Sequence, residues 1–453
     1  MGARERASGR RGSGRVVGMA EVVGWLVLVV GLLVSVALHE LGHMLPAKRF
    51  GVRVSEYFVG FGPKLWSRQG KETEYGIKAI PLGGYVRLVG MIPPAERVKP
   101  VKGTGRIAQL IADTREASVE EIPEGEDHRA FYHLTWWRKA IVMFGGPAVN
   151  LVLGVLLFTG VLFVMGSAGE PTLTVTNVSE CVTPVDRVEC EAGDPQAPAA
   201  AAGLEAGDVI TAVDGTAVAT WDEFTSYVSA RPGEDIALTV ERDGEATELT
   251  VTPALTERYV VEDGAVVLDD AGDPVTHEVG FVGIAPEVPT VHELGTGLEY
   301  TGYVLGATAD AVMHLPSKVY DVALAAAGVQ ERTTDSLMSV VGVGRVAGEI
   351  SAADVDGYGI GAKVADMLMI LGSLNIALFA FNMIPLVPLD GGHIASAVWQ
   401  GIKNGWARLR GLPRPAPVDV ARMMPLAYGV FALLLVMGAI LIYADIVVPV
   451  SVV

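Results

Sequence analysis

Residues 22–43 read Val22-Val23-Gly24-Trp25-Leu26-Val27-Leu28-Val29-Val30-Gly31-Leu32-Leu33-Val34-Ser35-Val36-Ala37-Leu38-His39-Glu40-Leu41-Gly42-His43. Up to Leu38 the stretch carries no charge. With its ending it is about 20 residues long, enough for a helix to cross roughly 30 Å of hydrocarbon. His39 and His43 are four apart, so a helix sets them on one face, a turn from each other, where both imidazoles reach one metal ion. Glu40 stands beside the first histidine, placed to act as a base on water at that metal. Ionisable groups at membrane depth are costly and mark function by default. The competing reading is a histidine pair hydrogen-bonded at a helix end.

The chain has 453 residues, 50% of them hydrophobic. That is too long for one ordinary domain and too apolar for an ordinary soluble protein. Three further stretches are long and nearly uncharged, which predicts an α-helical polytopic membrane protein with four transmembrane helices. The expected division is a tail over 1–21, a first span over 22–45, a loop over 46–138 and a second span over 139–166. An outer domain over 167–290 and a membrane-surface helical region over 291–362 follow. A third span over 363–390, a loop over 391–423 and a fourth span over 424–448 complete it.

Charge sets the expected sidedness. The formal net charge is −18, but residues 167–300 hold about 27 Asp and Glu against 4 Arg. The loop from Pro46 to Lys139 carries about 16 Lys and Arg, and Lys403 to Arg422 about 5 more. With four spans both basic loops share a side, which the positive-inside rule makes cytoplasmic. The acidic segment and both termini are then outside. The acidic balance excludes nucleic acid as a partner; the lipid bilayer is the partner composition implies. Five arginines between Arg4 and Arg15 oppose this topology. Translation from Met19 resolves the conflict, with Met1 to Gly18 not native; the alternative is that the inner loops outvote a genuine tail.

Cys181 and Cys190, the chain's two cysteines, lie in the acidic outer segment. An oxidising compartment and a short separation suggest a disulfide, with two free thiols as the other possibility. Around them, Pro198 to Gly215 reads as a short helix, a glycine stop, a strand and an Asp-Gly turn, and residues 236–252 as a hairpin about Asp243-Gly244. This passage resembles a PDZ domain, closed by Gly280-Phe281-Val282-Gly283-Ile284-Ala285-Pro286. The resemblance implies a peptide groove at Val282, Gly283 and Ile284, open to ligand, occluded or acting only as a size filter.

In the first inner loop, Tyr75 to Gly90 alternates and contains Gly83-Gly84, which predicts a cytoplasmic, membrane-associated β-hairpin. A protease must hold its substrate extended, so an edge strand at Gly83, Gly84 and Tyr85 near the metal has a use as a substrate-binding element. A purely structural hairpin fits the same pattern. Glu96 to Arg129 reads as polar and mobile. A second His292-Glu293-Leu294-Gly295 lacks a second histidine and reads as coincidence.

A catalytic zinc needs three protein ligands and an open position. The third span ends Asn382-Met383-Ile384-Pro385-Leu386-Val387-Pro388-Leu389-Asp390-Gly391-Gly392-His393. Asp390 is the carboxylate that arrives at the depth of His39 and His43, since spans one and three run the same way. A helix-end cap at Asp390, or His393 as ligand, remain alternatives. Pro385 and Pro388 break the helix beside the site, where they line the substrate path. Asn382 is placed to donate to a carbonyl or oxyanion.

Together the His39–His43 motif, the Gly83-Gly84 hairpin, the PDZ-like segment and Asn382-x-x-Pro385-x-x-Pro388-Leu389-Asp390-Gly391-Gly392 resemble bacterial site-2 proteases of the RseP type, in a single-PDZ branch. The resemblance implies an intramembrane zinc metalloendopeptidase. Zn2+ is then held by His39, His43 and Asp390, with Glu40 as base and Asn382 assisting the transition state. It also implies substrates that are single-pass membrane proteins of anti-sigma-factor type, cut after a first protease has acted. Val341-Gly342-Val343-Gly344 departs from the family's Gly-Pro at that point, and one PDZ segment stands where the RseP branch has two. The rival readings are an inactive membrane PDZ adaptor, which needs a broken ligand set, and a zinc permease, which needs polar groups spread along the spans.

Overall fold

The structure is a computed structural model. It describes residues 5–450 apart from 99, 101–104, 186, 188, 263–264, 268–273, 333–335 and 356–357, and without the side chains of residues 5–19, 82, 261, 262 and 265. The expected start at Met19 concerns a tail whose side chains lie outside that description. The chain forms two compact units, Met1–Met165 with Glu293–Val453, and Gly166–His292.

The first unit opens with α1 (Glu5–Arg49), followed by β1 (Val54–Gln69), β2 (Glu74–Leu88), α2 (Arg106–Glu120) and α3 (Trp136–Met165). After the second unit it continues with α6 (Leu294–Met313), α7 (Leu315–Ala326), α8 (Val340–Ala352), α9 (Ile360–Asn382), α10 (Asp390–Leu409) and α11 (Met424–Val447). Among the described residues, four stretches are long and apolar enough to cross a membrane: Ala20–Arg49, Trp136–Met165, Ile360–Asn382 and Val420–Val447.

Among lipid tails apolar burial does not drive helices together, so close backbone approach and polar contacts must. Glycines supply the approach. A Cβ on Gly24 of α1 would run into the Ala347 carbonyl of α8, and one on Gly344 into the Trp25 ring. Gly372 of α9 seats Phe158 of α3, and Gly154 of α3 seats Ile376. Asn375 of α9, fully buried, donates to Ser35 Oγ of α1 at 3.0 Å.

The helices of residues 294–352 pack against α1, α3 and α9. Tyr300 of α6 meets Phe158 of α3 edge-on with centroids 4.9 Å apart, and α8 lies on α1. The acidic end of α11 ties this region down. Asp445 accepts from Ser339 N and Oγ at 2.6 and 2.5 Å and from Gly342 N at 3.1 Å, and pairs with Arg332 at 2.6 Å. A carboxylate at the N-terminus of α8 also suits the helix dipole. Both side chains of the ion pair are 1% exposed. Asp445→Ala strands Arg332 and is expected to cost about 3–5 kcal/mol, seen as a lower melting temperature of the full chain in detergent. Arg332→Met combined with Asp445→Leu should recover much of it.

Two expectations about residues 46–138 change. The hairpin is a bent sheet of four segments. Residues 54–59 pair with 84–88 and residues 64–69 with 74–78, each in opposed direction, while the register from Glu56↔Glu74 to Val59↔Ile77 runs in one sense. The bend falls where Gly60 and Gly62 adopt φ of 90° and 84°, a conformation glycine takes freely. The stretch expected to be mobile contains α2. Its Ile111, Arg115 and Ser118 are buried, and Arg115 pairs with Asp419 just before α11.

The second unit has a sheet of order β5 (Thr216–Ala217), β4 (Val209–Val213), β6 (Ile236–Arg242), β7 (Glu245–Val251). Helices α4 (Pro198–Ala202) and α5 (Trp221–Ser229) accompany it, and β3 (Val175–Val178) pairs with β8 (Ile284–Pro286). Its core includes Ile210, Phe224, Ile236, Leu238 and Val240. Buried Asp208 accepts from Arg242 Nε at 2.7 Å and from Glu205 N at 3.0 Å. The Arg242 guanidinium, the larger cause, and the Glu205 N–H together hold this carboxyl below its usual range. Its stabilisation is therefore complete above the ordinary carboxylate pKa near 4 and is lost as pH falls through the lower folded value. Asp208→Asn is expected to make residues 236–251 more susceptible to limited proteolysis at pH 7, a change that should shrink in strong acid.

Candidate metal centre

Helices α1 and α3 cross with their backbones touching. A Cβ on Gly42 would run into the Gly145 carbonyl, and one on Gly145 into the Gly42 carbonyl. One residue on, a Cβ on Gly146 would strike His43 Nε2 and would lie 2.8 Å from His39 Cε1. Glycine at 146 leaves the room into which both imidazoles turn.

There His39 Nε2 and His43 Nε2 are 3.2 Å apart. Asp390 Oδ2 lies 3.4 Å from the first and 3.2 Å from the second. Both histidines are buried, with 9% and 5% exposure. The other ring nitrogen of His43, Nδ1, is 2.8 Å from the Val142 carbonyl oxygen. A carbonyl only accepts, so Nδ1 carries the proton and the lone pair of Nε2 is aimed at the position where His39 Nε2 and Asp390 Oδ2 converge with it. Two imidazole nitrogens and one carboxylate oxygen converging in a pocket kept clear by a glycine fit a catalytic divalent metal with one position left open. His39, His43 and Asp390 are the one His/Cys/Asp/Glu group among the described residues that could hold such an ion.

Asp390 reaches the site because α9 stops at Asn382 and a new helix starts at Asp390. The expected continuous span to 390 is thus shorter, and the loop expected over 391–423 is largely α10. The link between them holds Pro385 and Pro388, whose missing N–H groups prevent helical continuation. The first turn of α10 is pressed against that link. A Cβ on Gly391 would collide with the carbonyls of Met383 and Ile384, and one on Gly392 with the backbone at Leu386 and Val387. His393 lines a separate small cavity with Lys139, Ser396 and Gln400.

The bent sheet lies against α1 at the same level. Tyr57 donates to the Ala37 carbonyl at 2.6 Å. The backbone N–H of Val86 faces the Glu40 carboxylate. Val89 N bonds to Arg53 O across the sheet, so the alternate N–H groups at Gly84, Val86 and Leu88 lie on the opposite edge, which pairs with no further strand among the described residues. A Cβ on Gly84 would come within 2.9 Å of Phe58 O, 3.0 Å of Val36 Cγ1 and 3.2 Å of Glu40 Cγ. Gly84→Val must therefore push this edge away from Glu40. A displacement near 1 Å costs about 100-fold in catalysis, so kcat/KM should fall by about that factor with bound metal unchanged.

The remaining expected positions fall as follows. Gly83 adopts φ of 93° at the turn into the edge strand, and the Tyr85 hydroxyl donates to Glu56 at 2.5 Å. Asn382 closes α9. Cys181 and Cys190 are joined with Cα atoms 6.0 Å apart. Of the proposed groove residues, Val282 is buried in the core of its unit, the Gly283 carbonyl accepts from Ser179 N, and Ile284 is paired with Val178. One residue was missed. Asn150 of α3, 0% exposed, places its amide 3.0 Å from His39 Nδ1. The signal was available: an amide in an uncharged span is as conspicuous as a charge.

Comparison with known proteins bears on the whole chain. The model of peptidase family M50 matches residues 27–411. The zinc metalloprotease Rip1 of Mycobacterium tuberculosis is 34% identical over 439 residues, 95% of this chain and 99% of that protein. The metalloprotease MmpA of Caulobacter vibrioides is 29% identical over 84% of this chain and 88% of its own length. The zinc metalloprotease RasP of Oceanobacillus iheyensis is 26% identical over 83% and 89%. A solved PDZ domain of an SdrC-like protein from Listeria monocytogenes covers 26% of this chain and 92% of its own length, with 21% identity and a TM-score of 0.15. With Rip1 aligned from end to end and the family model spanning both halves of the metal centre, the chain belongs to peptidase family M50, the site-2 proteases, and is a membrane zinc metalloprotease.

Proposed function

We propose that this enzyme cuts single-pass membrane proteins of the anti-sigma-factor type, within or beside their membrane segment, after another protease has removed their outer domain. The observation that carries the reading is the Gly84–Leu88 edge running past Glu40, beside ligands held at the end of an apolar helix. A helical segment resists hydrolysis because its carbonyls are occupied. Adding the substrate as a strand to this edge frees its scissile peptide and delivers it to Glu40. A largely apolar cavity of about 1150 Å³ between α6, α8 and α9, lined by Tyr303, Val346, Ile370, Leu374 and Phe381, gives room for the rest of a membrane segment.

His39, His43 and Asp390 would hold the zinc, which when bound supplies Lewis-acid polarisation and acidifies water. Glu40 takes a proton from the attacking water and passes it to the leaving amine. Asn382 donates to the developing oxyanion. The basic inner loops support an active site near the cytoplasmic face of a bacterial inner membrane, with residues 166–292 outside. The order of short helix, strand, Asp-Gly turn, helix, hairpin and returning strand supports a PDZ-like outer domain. Because Val282 lies in its core, exclusion of bulky outer domains fits that unit better than capture of a peptide at Val282–Ile284.

The test is co-reconstitution with a single-pass substrate, intact or trimmed outside the membrane. The trimmed form should be cut by wild type and the intact form spared; deleting residues 172–286 should let the intact form through. Equal cutting of both forms by wild type would contradict the two-step reading.

A further inference from the structure

We propose that Asn150 is a positioning residue that fixes the tautomer and ring orientation of His39 for the metal. The two histidines are held differently. His43 Nδ1 meets the Val142 carbonyl, which settles its tautomer. Among the described residues His39 Nδ1 meets no carbonyl; its neighbour at 3.0 Å is the Asn150 side-chain amide, reaching across from α3. For His39 to offer Nε2 to the metal as a neutral ligand, its proton must sit on Nδ1, and that proton needs an acceptor.

Asn150 holds that acceptor in reserve. Its Oδ1 is buried without a hydrogen-bond partner among the described residues, while its Nδ2 faces the ring. A half-turn of the amide exchanges the two atoms with almost no change in shape. With Nδ2 toward the ring, His39 keeps its proton on Nε2, directed at Asp390 Oδ2 3.4 Å away. With Oδ1 toward the ring, Nδ1 is the donor and Nε2 is free to ligate. An amide serves both arrangements. An apolar side chain serves neither, and an unmatched ring nitrogen would be left in a fully buried place. Asn150 also sits one helical turn beyond Gly146, so the same face of α3 both clears space for the imidazoles and orients one of them.

The test measures zinc affinity of the purified full chain in detergent by competition with a chromophoric chelator, for wild type, N150L and N150D. Leucine matches asparagine in shape and is at home in a span, so folding is not at stake in N150L. Aspartate keeps an acceptor for Nδ1–H but loses the amide donor. N150L should bind zinc about 10- to 100-fold more weakly, as loss of a partner to a metal-bound histidine does, and N150D should stay close to wild type. Wild-type affinity in N150L would overturn the proposal. So would an N150D as weak as N150L, since packing rather than an acceptor would then be what matters.

Discussion

Glu40→Gln is expected to abolish cleavage and leave zinc in place. The substitution preserves size and removes only the carboxylate's ability to take a proton. None of the donors that converge on the metal position belongs to residue 40. General-base catalysis contributes about 10²- to 10⁴-fold, and here the same group also returns the proton to the leaving amine, so the upper end applies. Cleavage of a trimmed substrate should fall below detection in a time course that wild type completes. Zinc by elemental analysis should be unchanged. Loss of zinc together with activity would mean that Glu40 is part of the metal's coordination.

Asp390→Asn should lose metal as well as activity. The amide is neutral and a weaker oxygen donor for zinc than the carboxylate, while its near-identical shape leaves the tight turn at Gly391-Gly392 undisturbed. Zinc should no longer be stoichiometric after dialysis against a chelator that wild type withstands. Stoichiometric zinc bound as tightly as in wild type would remove Asp390 from the ligand set and reopen the helix-cap reading. With Glu40→Gln the pair separates base from ligand, because one variant keeps the metal and the other does not.

What could be read from the residues alone follows the range of the interactions involved. His39 and His43 owe their common face to helical periodicity, a property of five consecutive residues. Asp390 required only the inference that two spans of the same direction end at one depth. The prolines after Asn382 were legible as a break, but the restart of a helix at Asp390 was not, since the first turn of α10 is shaped by the backbone of residues 383–387 pressed against two glycines. Helix α2 was hidden because its polar composition is offset by a buried partner, Asp419, more than 300 residues away. The bent sheet was read as a plain hairpin because the pairing of residues 56–59 with both 84–87 and 74–77 is a tertiary fact, although Gly60 and Gly62 mark the bend. Asn150 was within reach of sequence reasoning; counting apolar residues across the second span averaged it away.

The proposed function has zinc, held by His39, His43 and Asp390, serve proteolysis at membrane depth beside the Gly84–Leu88 edge. The most direct measurement is intact-mass mapping of the bond cut in a purified, trimmed single-pass substrate, with wild type and Glu40→Gln in parallel. One cut inside or at the cytoplasmic border of the substrate's membrane segment is expected, present with wild type and absent with Glu40→Gln. A cut confined to the substrate's water-exposed parts, or the same cut from Glu40→Gln, would contradict it.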